Sequence, residues 1–254
     1  MPLLTVFTPA YNRAHTICRT YSSLCQQTCH DFEWLVIDDG SIDDTQSLLR
    51  SYVDDGSFRG RNDRFYGYSK DAPWLKITYI YQDNQGMHGA HNTAYDNITT
   101  ELNTCIDSDD FAPITCVEKI ADFWSSIPER KKRKYAGLVG LDITENGCVI
   151  GSKFNHEETT LMEFYHKGGR GDKKLVYRTD IVNEYPRYPL FPNERYVGLA
   201  SLYNMIDQDY KLLTLNEPLV VVEYQIEGSS ANMFKQYCRN PQGFLYCRKK
   251  NANL

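Results

Sequence analysis

Three carboxylates crowd into Asp107-Ser108-Asp109-Asp110, directly behind the apolar run Leu102–Ile106. Side chains alternate along a strand, so an extended tip turns Asp107 and Asp109 to the same side. Carboxylates at that range repel unless positive charge sits between them. A hard divalent ion fills that need, and its other positions suit phosphate oxygens. The cluster therefore points to a nucleoside diphosphate. A second acidic tip, Asp38-Asp39, closes the apolar run Trp34–Ile37. Acidic triplets also serve simply to end strands and start turns. The position behind a buried strand, matched by a second such tip upstream, is what gives this one weight.

The elements that must hold these tips can be read from periodicity. Leu3–Thr8 is a β-branched and apolar strand closed by Pro9. Ala14–Cys25 has helical spacing through Ile17, Tyr21 and Leu24. Glu33–Ile37 is the next strand. Ser41 with Asp44 three positions on resembles a capping box, which predicts a helix over Asp43–Tyr52. Residues 54–74 are polar and Gly-punctuated, and read as a long functional loop. Lys76–Tyr81 is a strand, Gly86–Asn97 a helix, and Leu102–Ile106 the strand behind the acidic tip. This alternation predicts a parallel sheet covered by helices. Ligands of such sheets sit beyond the carboxyl ends of the strands, where Pro9-Ala10-Tyr11, Asp38-Asp39 and Asp107–Asp110 all fall. Further on, Val117–Trp124 and Val197–Ile206 read as helices, Tyr135–Leu141 as a strand, and Leu212–Tyr224 as strands broken at Pro218. Residues 142–175 read as irregular, and the tail from Ala231 is polar, aromatic and basic.

Composition narrows the class. With 254 residues, 41% hydrophobic and 24% charged, the chain is an ordinary globular protein. A net charge of -5 argues against a general nucleic-acid binder. The eight cysteines form no Cys-x-x-Cys pair and read as reduced structural thiols. The apolar start is too short for a signal h-region, and no run is long enough to span a bilayer. A cytoplasmic location follows, with peripheral contact at the inner membrane face through the basic, aromatic tail.

Four motifs then come in order: Thr8-Pro9-Ala10-Tyr11-Asn12-Arg13; Val36-Ile37-Asp38-Asp39-Gly40-Ser41 with Asp43-Asp44-Thr45; Asn84-x-Gly86 with Ala90 and Asn92; and Asp107-Ser108-Asp109-Asp110. Together they resemble a family 2 glycosyltransferase with the GT-A fold, specifically over residues 3–111 and more loosely to about residue 230. The resemblance implies an α/β fold, a Rossmann-like nucleotide-binding mixed sheet flanked by helices. Residues 1–224 would form the GT-A domain, with 1–111 binding the nucleotide sugar and 112–224 the acceptor. Residues 225–254 would be a C-terminal extension. Thr8, Ala10 and Tyr11 would wall the base pocket, and Asp39 would read the base or ribose. Asn84 and Ala90 would lie along the donor sugar and diphosphate. Met87 stands where many relatives carry a Lys, and His88 or His91 would take over that contact. Asp109, with Asp107, would hold Mg²⁺ or Mn²⁺, while Asp107 and Ser108 also face the donor.

The implied reaction is inverting transfer of a sugar from a nucleotide-diphosphate donor, UDP-linked, to a saccharide or lipid-linked saccharide acceptor in surface polysaccharide synthesis. Such a displacement needs a carboxylate base at the attacking oxygen. Relatives place an acid near the position of Leu199, where this chain has none. Glu194 is the first substitute and Asp172 the second. Arg170 and Lys173 are candidates to steady the diphosphate, and His156 or His166 to add a metal contact. Two other classes remain open: a non-catalytic nucleotide-sugar binder, and a nucleotidyltransferase on a similar sheet.

Overall fold

β1 (Leu4–Ala10) is buried along its whole length, as a strand covered on both faces of a parallel sheet must be. Its alternate side chains split between two cores. Leu4 and Val6 join one cluster, with Trp34 and Val36, while Phe7 joins another, with Leu35 and Ile37. The computed structural model describes residues 1–223 and 233–252. The boundary expected at residue 224 lies outside them.

After β1 come α1 (Ile17–Cys25), β2 (Phe32–Asp38), α2 (Thr45–Tyr52), β3 (Arg59–Arg61), β4 (Arg64–Tyr68), β5 (Lys76–Tyr81), α3 (Met87–Asn97) and β6 (Leu102–Cys105). The second half holds α4 (Cys116–Ser126), α5 (Glu129–Lys132), β7 (Tyr135–Ile143), β8 (Glu158–Thr159), α6 (Leu161–His166), β9 (Lys173–Arg178), α7 (Thr179–Glu184), α8 (Ala200–Asp209), β10 (Lys211–Val221), α9 (Met233–Arg239) and α10 (Pro241–Ala252). The strands form one mixed sheet in the order β3-β4-β5-β2-β1-β6-β9-β7-β10-β8.

The order decides where a ligand can bind. β1 pairs in parallel with β2 on one side and β6 on the other. The chain therefore winds outward to β5 and returns across β1 to reach β6. α1 contributes Ile17, Tyr21 and Leu24 to one face, and α3 contributes Ala90, Ala94 and Tyr95 to the other. The crevice between oppositely wound halves opens at the carboxyl ends of β1, β2 and β6. Trp34 and Trp124 are fully buried on the α1 face; burying a large apolar side chain contributes about 1.5–3 kcal/mol.

Several elements differ from the sequence reading. Residues 54–74 contain the β3–β4 hairpin, which extends the sheet antiparallel to β5. Residues 142–175 are not simply irregular, since they supply β8, α6 and the start of β9. β9 lies at the centre of the sheet, antiparallel to both β6 and β7. β10 runs on through Pro218, absorbing it in a shift of register against β7. α8 begins at Ala200 rather than Val197. The tail folds into α9 and α10, with α10 packed against α8. Among the described residues no helix is long and apolar enough to cross a membrane.

Candidate active site

The exits of β1 and β2 are tied together by short polar side chains. Asn12 N donates to Ser41 Oγ at 2.9 Å, and Ile42 N donates to Asn12 Oδ1 at 2.9 Å. Asn12 adopts a positive φ of 54°, and Gly40 one of 86°, conformations that Asn and Gly tolerate best. Ser41 is thus spent on Asn12 rather than on capping α2. Asp43 takes the first-turn work, accepting from Thr45 N at 3.0 Å and from Ala14 N at 3.1 Å. Between these exits Tyr11 stands 48% exposed, free to meet a flat ligand.

Asp39 is buried behind it. Its carboxylate accepts from Gln82 Nε2 at 2.7 Å and from the backbone N–H of Gln85 and Gly86, each at 2.8 Å. Burial raises its pKa, and those three donors hold it down. A carboxylate offers about four lone-pair sites, so three donors leave Asp39 little more than one for a ligand. Its main task is to latch the Gln82–Gly86 loop, on which Asn84 sits partly buried. Gly86 has a φ of 84°, and a Cβ there would collide with the carbonyl oxygen of Arg195.

The acidic tip is a turn, not an extension of the strand. β6 ends at Cys105, and Asp110 N donates to the Asp107 carbonyl oxygen at 3.0 Å. The crowding expected of the carboxylates is there by that route. Burial, then the charge of Asp107, raises the pKa of Asp109. Burial pushes Asp110 up to about 7, against the pull of Lys174 and with the help of Asp107 and Asp109. Ser108 is buried. Arg13 and Arg19 lower the Asp109 pKa, and Arg19 Nη2 donates to its backbone oxygen at 3.1 Å.

Among the described residues no three His, Cys, Asp or Glu side chains converge as a metal cage. The turn still suits a divalent ion of the kind that takes one or two carboxylates and completes its shell with substrate phosphates. Its crowded acids show the charge such an ion would relieve. Asp109 and Asp107 are the carboxylates that would hold such an ion.

Asp107 and Asp110 also line a cavity of about 310 Å³ with Asp142, Asp172, Lys174 and Leu199. A larger one, about 600 Å³, lies at the far end of β6 by Glu101 and Arg178. There Arg178 is already ion-paired with Asp180.

Other expected residues are committed elsewhere. Thr8 is fully buried, and its Oγ1 accepts from the Trp34 indole at 3.0 Å. Ala10 lies in the same core, offering only its carbonyl oxygen, which accepts from Asp39 N at 2.8 Å. Ala90 is fully buried in α3 against the second core. These three support the pocket from behind rather than facing a ligand. His88 and His91 are buried too. Burial lowers both pKa values to about 4, which keeps them neutral and unsuited to replace a phosphate-binding Lys. His91 packs edge-on against Phe7.

Glu194 is 6% exposed, and its two oxygens accept from Gln242 N at 3.0 Å and Gly243 N at 2.8 Å. It caps α10 from a buried position and does not line the cavity beside the acidic turn. Asp172 is exposed at the rim of the smaller cavity. Lys173 spends its ammonium on backbone oxygens of Ile150, Arg170 and Asp172, which removes it from the diphosphate. Arg170, His156 and His166 are exposed.

Sequence reasoning missed Asp142 and Lys174. They sit on β7 and β9, and the hidden strand was β9. Its only cue was the apolar pair Leu175-Val176 between charged residues.

A switch-point crevice with an acidic turn on one side and an exposed aromatic on the other is the arrangement of a GT-A fold. Residues 5–185 match the family described as Glycosyl transferase family 2, and the chain belongs to that family. A UDP-Glc:alpha-D-GlcNAc-diphosphoundecaprenol beta-1,3-glucosyltransferase of Escherichia coli is 25% identical over 240 residues, 93% of this chain and 83% of that one. An Escherichia coli chondroitin synthase is 31% identical over 122 residues, 48% of this chain but only 15% of that much longer enzyme. Two solved structures share the fold at 18% identity. S. aureus TarS 1-349 in complex with UDP-GlcNAc has a TM-score of 0.62 over 91% of this chain and 61% of that one. The Pyrobaculum calidifontis mannosyltransferase PcManGT, in complex with GDP-Man and Mn2+, has 0.63 over 98% and 64%.

Proposed function

We propose that this glycosyltransferase moves a sugar, with inversion, from a UDP-linked donor to a hydroxyl of a saccharide carried on a lipid diphosphate. The observation that carries this is the acidic turn Asp107–Asp110, set across the switch point from Tyr11 and Asp39. The specificity named for the glucosyltransferase relative, matched over most of both chains, supports the donor and acceptor classes.

In this reading Tyr11 stacks on the base, and the last acceptor site of Asp39 takes a base or ribose donor. Asp109 and Asp107 hold Mg²⁺ or Mn²⁺ against the diphosphate. The bound ion would supply charge stabilisation to the leaving group. Arg13 adds positive charge beside the same turn, where Arg19 is ion-paired with Glu145 and Glu223. The proton of the attacking hydroxyl passes to a carboxylate of the smaller cavity outside the turn, Asp172 or Asp142. The acceptor's lipid would bring the protein to the cytoplasmic membrane face, with exposed Arg248 and Lys249 of α10 toward anionic headgroups.

The test is transfer from UDP-glucose to GlcNAc-diphosphoundecaprenol, with and without Mn²⁺. Asp109→Ala is expected to cut kcat by more than about 100-fold, as for other losses of transition-state charge stabilisation. Unchanged turnover in that variant would overturn the metal assignment. One observation favours a second reading, donor binding without turnover: Leu199, where the family resemblance implies an acid, presents an apolar side chain to the cavity. UDP-glucose binding with no transfer to any saccharide acceptor would establish it.

A further inference from the structure

The cavity beside the acidic turn holds polar atoms that the fold leaves unpaired. Among the described residues, Asp142 Oδ1, His91 Nε2 and Tyr177 Oη are buried with no hydrogen-bond partner. All three residues line this one space. Buried polar groups are almost always paired, and an orphan calls for an explanation. Unpaired groups gathered on residues that line one cavity suit a hydroxyl-rich ligand.

Asp142 differs from the other two in being an acceptor with charge. It sits near the end of β7, opposite Val220 of β10, and is 4% exposed. The neighbouring strand β9 pairs Lys174 with Gly140. Lys174 Nζ donates to the Cys105 carbonyl oxygen at 2.9 Å, and an ammonium has two further donors to offer. The carboxylates of Asp142, Asp107 and Asp110 hold its pKa above the ordinary lysine value, although burial works the other way. A cation and an unpaired carboxylate oxygen thus share one wall. A sugar hydroxyl can accept from the first while donating to the second.

We propose that Asp142 takes the proton of the attacking acceptor hydroxyl and that Lys174 positions that hydroxyl. This rests on the transfer reading above. The acceptor oxygen bonds to the anomeric carbon as its proton passes to Asp142 Oδ1. The bond from that carbon to the phosphate oxygen breaks, and the nucleoside diphosphate leaves with the electron pair. The proton later passes to solvent. Leu199 lines the same cavity, so Asp142 reaches from β7 into the space beside the start of α8.

Asp142 suits the task better than Asp172. Asp172 is exposed at the rim, next to the Gly-rich loop, whereas Asp142 is fixed on β7, paired with β10 inside the sheet. Burial lifts the Asp142 pKa to about 6, with Asp172 and Asp107 adding to the rise while Lys174 and Lys173 oppose it. It is then ionised at pH 7 and more basic than an ordinary carboxylate, as a general base should be.

The experiment compares Asp142→Asn, Asp172→Asn and Lys174→Met with the unaltered protein. Two quantities are read: UDP-glucose binding by calorimetry, and kcat and KM for GlcNAc-diphosphoundecaprenol. Asp142→Asn is expected to bind UDP-glucose within about threefold of normal and to lose about 100-fold or more in kcat. Asp172→Asn is expected to lose less kcat than Asp142→Asn. Lys174→Met raises acceptor KM and leaves UDP-glucose binding in place. The unaltered enzyme loses kcat as pH falls through about 6, and this limb disappears from the residual activity of Asp142→Asn. Normal kcat in Asp142→Asn, while Asp109→Ala is inactive, overturns the inference and leaves the transfer reading standing. Failure of the unaltered protein to bind UDP-glucose, UDP-GlcNAc or GDP-mannose overturns both.

Discussion

At the scale of the residue, charge placed at strand ends was the legible signal, and burial was the illegible one. Asp107, Asp109 and Asp39 could be picked out because acids that close apolar runs have few other reasons to cluster. Thr8, Ala10 and Ala90 belong to the same motifs yet face the core, since a short motif does not say which of its side chains points inward. Asp207 illustrates the cost of a buried acid. Its Oδ2 accepts from Met162 N at 2.9 Å, while its Oδ1 is buried without a partner. Burial raises its pKa to about 6. The native state therefore holds this proton more tightly than the unfolded chain. The associated stability is fully present below the ordinary carboxylate range and is lost as pH rises through about 6. Asp207→Asn keeps an acceptor for Met162 and removes the buried charge. It is expected to be more stable than the parent at pH 7, by on the order of 1–2 kcal/mol, and no more stable at pH 4. Denaturant melts at the two pH values check this; an equal gain at both would refute the charge argument.

At the scale of the element, the first half was readable because its strands are continuous apolar runs with helices between them. The second half was not. β9 reads Lys-Lys-Leu-Val-Tyr-Arg and follows a Gly-rich stretch, so its central place is set by pairing with β6 and β7 rather than by composition. The β3–β4 hairpin was hidden by its polar outer face, where Arg64, Tyr66 and Tyr68 alternate with buried Phe65 and Gly67. Glu194 shows how an element can claim a residue that chemistry seemed to need. Both its oxygens cap α10, and a lost cap costs about 0.5–2 kcal/mol. Glu194→Ala should lower stability by about that much. Glu194→Gln, which keeps one acceptor, should lose less and retain kcat within a few-fold. A loss of kcat like that expected for Asp142→Asn, with stability unchanged, would return Glu194 to the catalytic role.

At the scale of the whole molecule, the two halves meet at the back of the donor pocket. Asp39 latches Gly86 N, and Gly86 lies against the Arg195 carbonyl with no room for a Cβ. Arg195 N in turn donates to Asn240 Oδ1 at 2.7 Å, next to the Glu194 cap of α10. A continuous path of backbone and side-chain contacts thus runs from Asp39 to the C-terminal helices. Gly86→Ala tests whether that path matters for binding. The substitution forces a side chain into a left-handed conformation and against a carbonyl, at a cost of about 1–3 kcal/mol. Either the Arg195 segment moves away or the Gly86 N–H leaves Asp39, and the second outcome loosens the Asp39 carboxylate proposed to meet the base or ribose. UDP affinity, measured by calorimetry well below the melting temperature, is expected to fall by about tenfold, which corresponds to roughly 1.4 kcal/mol. A lowered melting temperature with UDP affinity unchanged would mean that the strain is taken up by the Arg195 segment alone. The donor pocket would then be independent of the chain's C-terminal end.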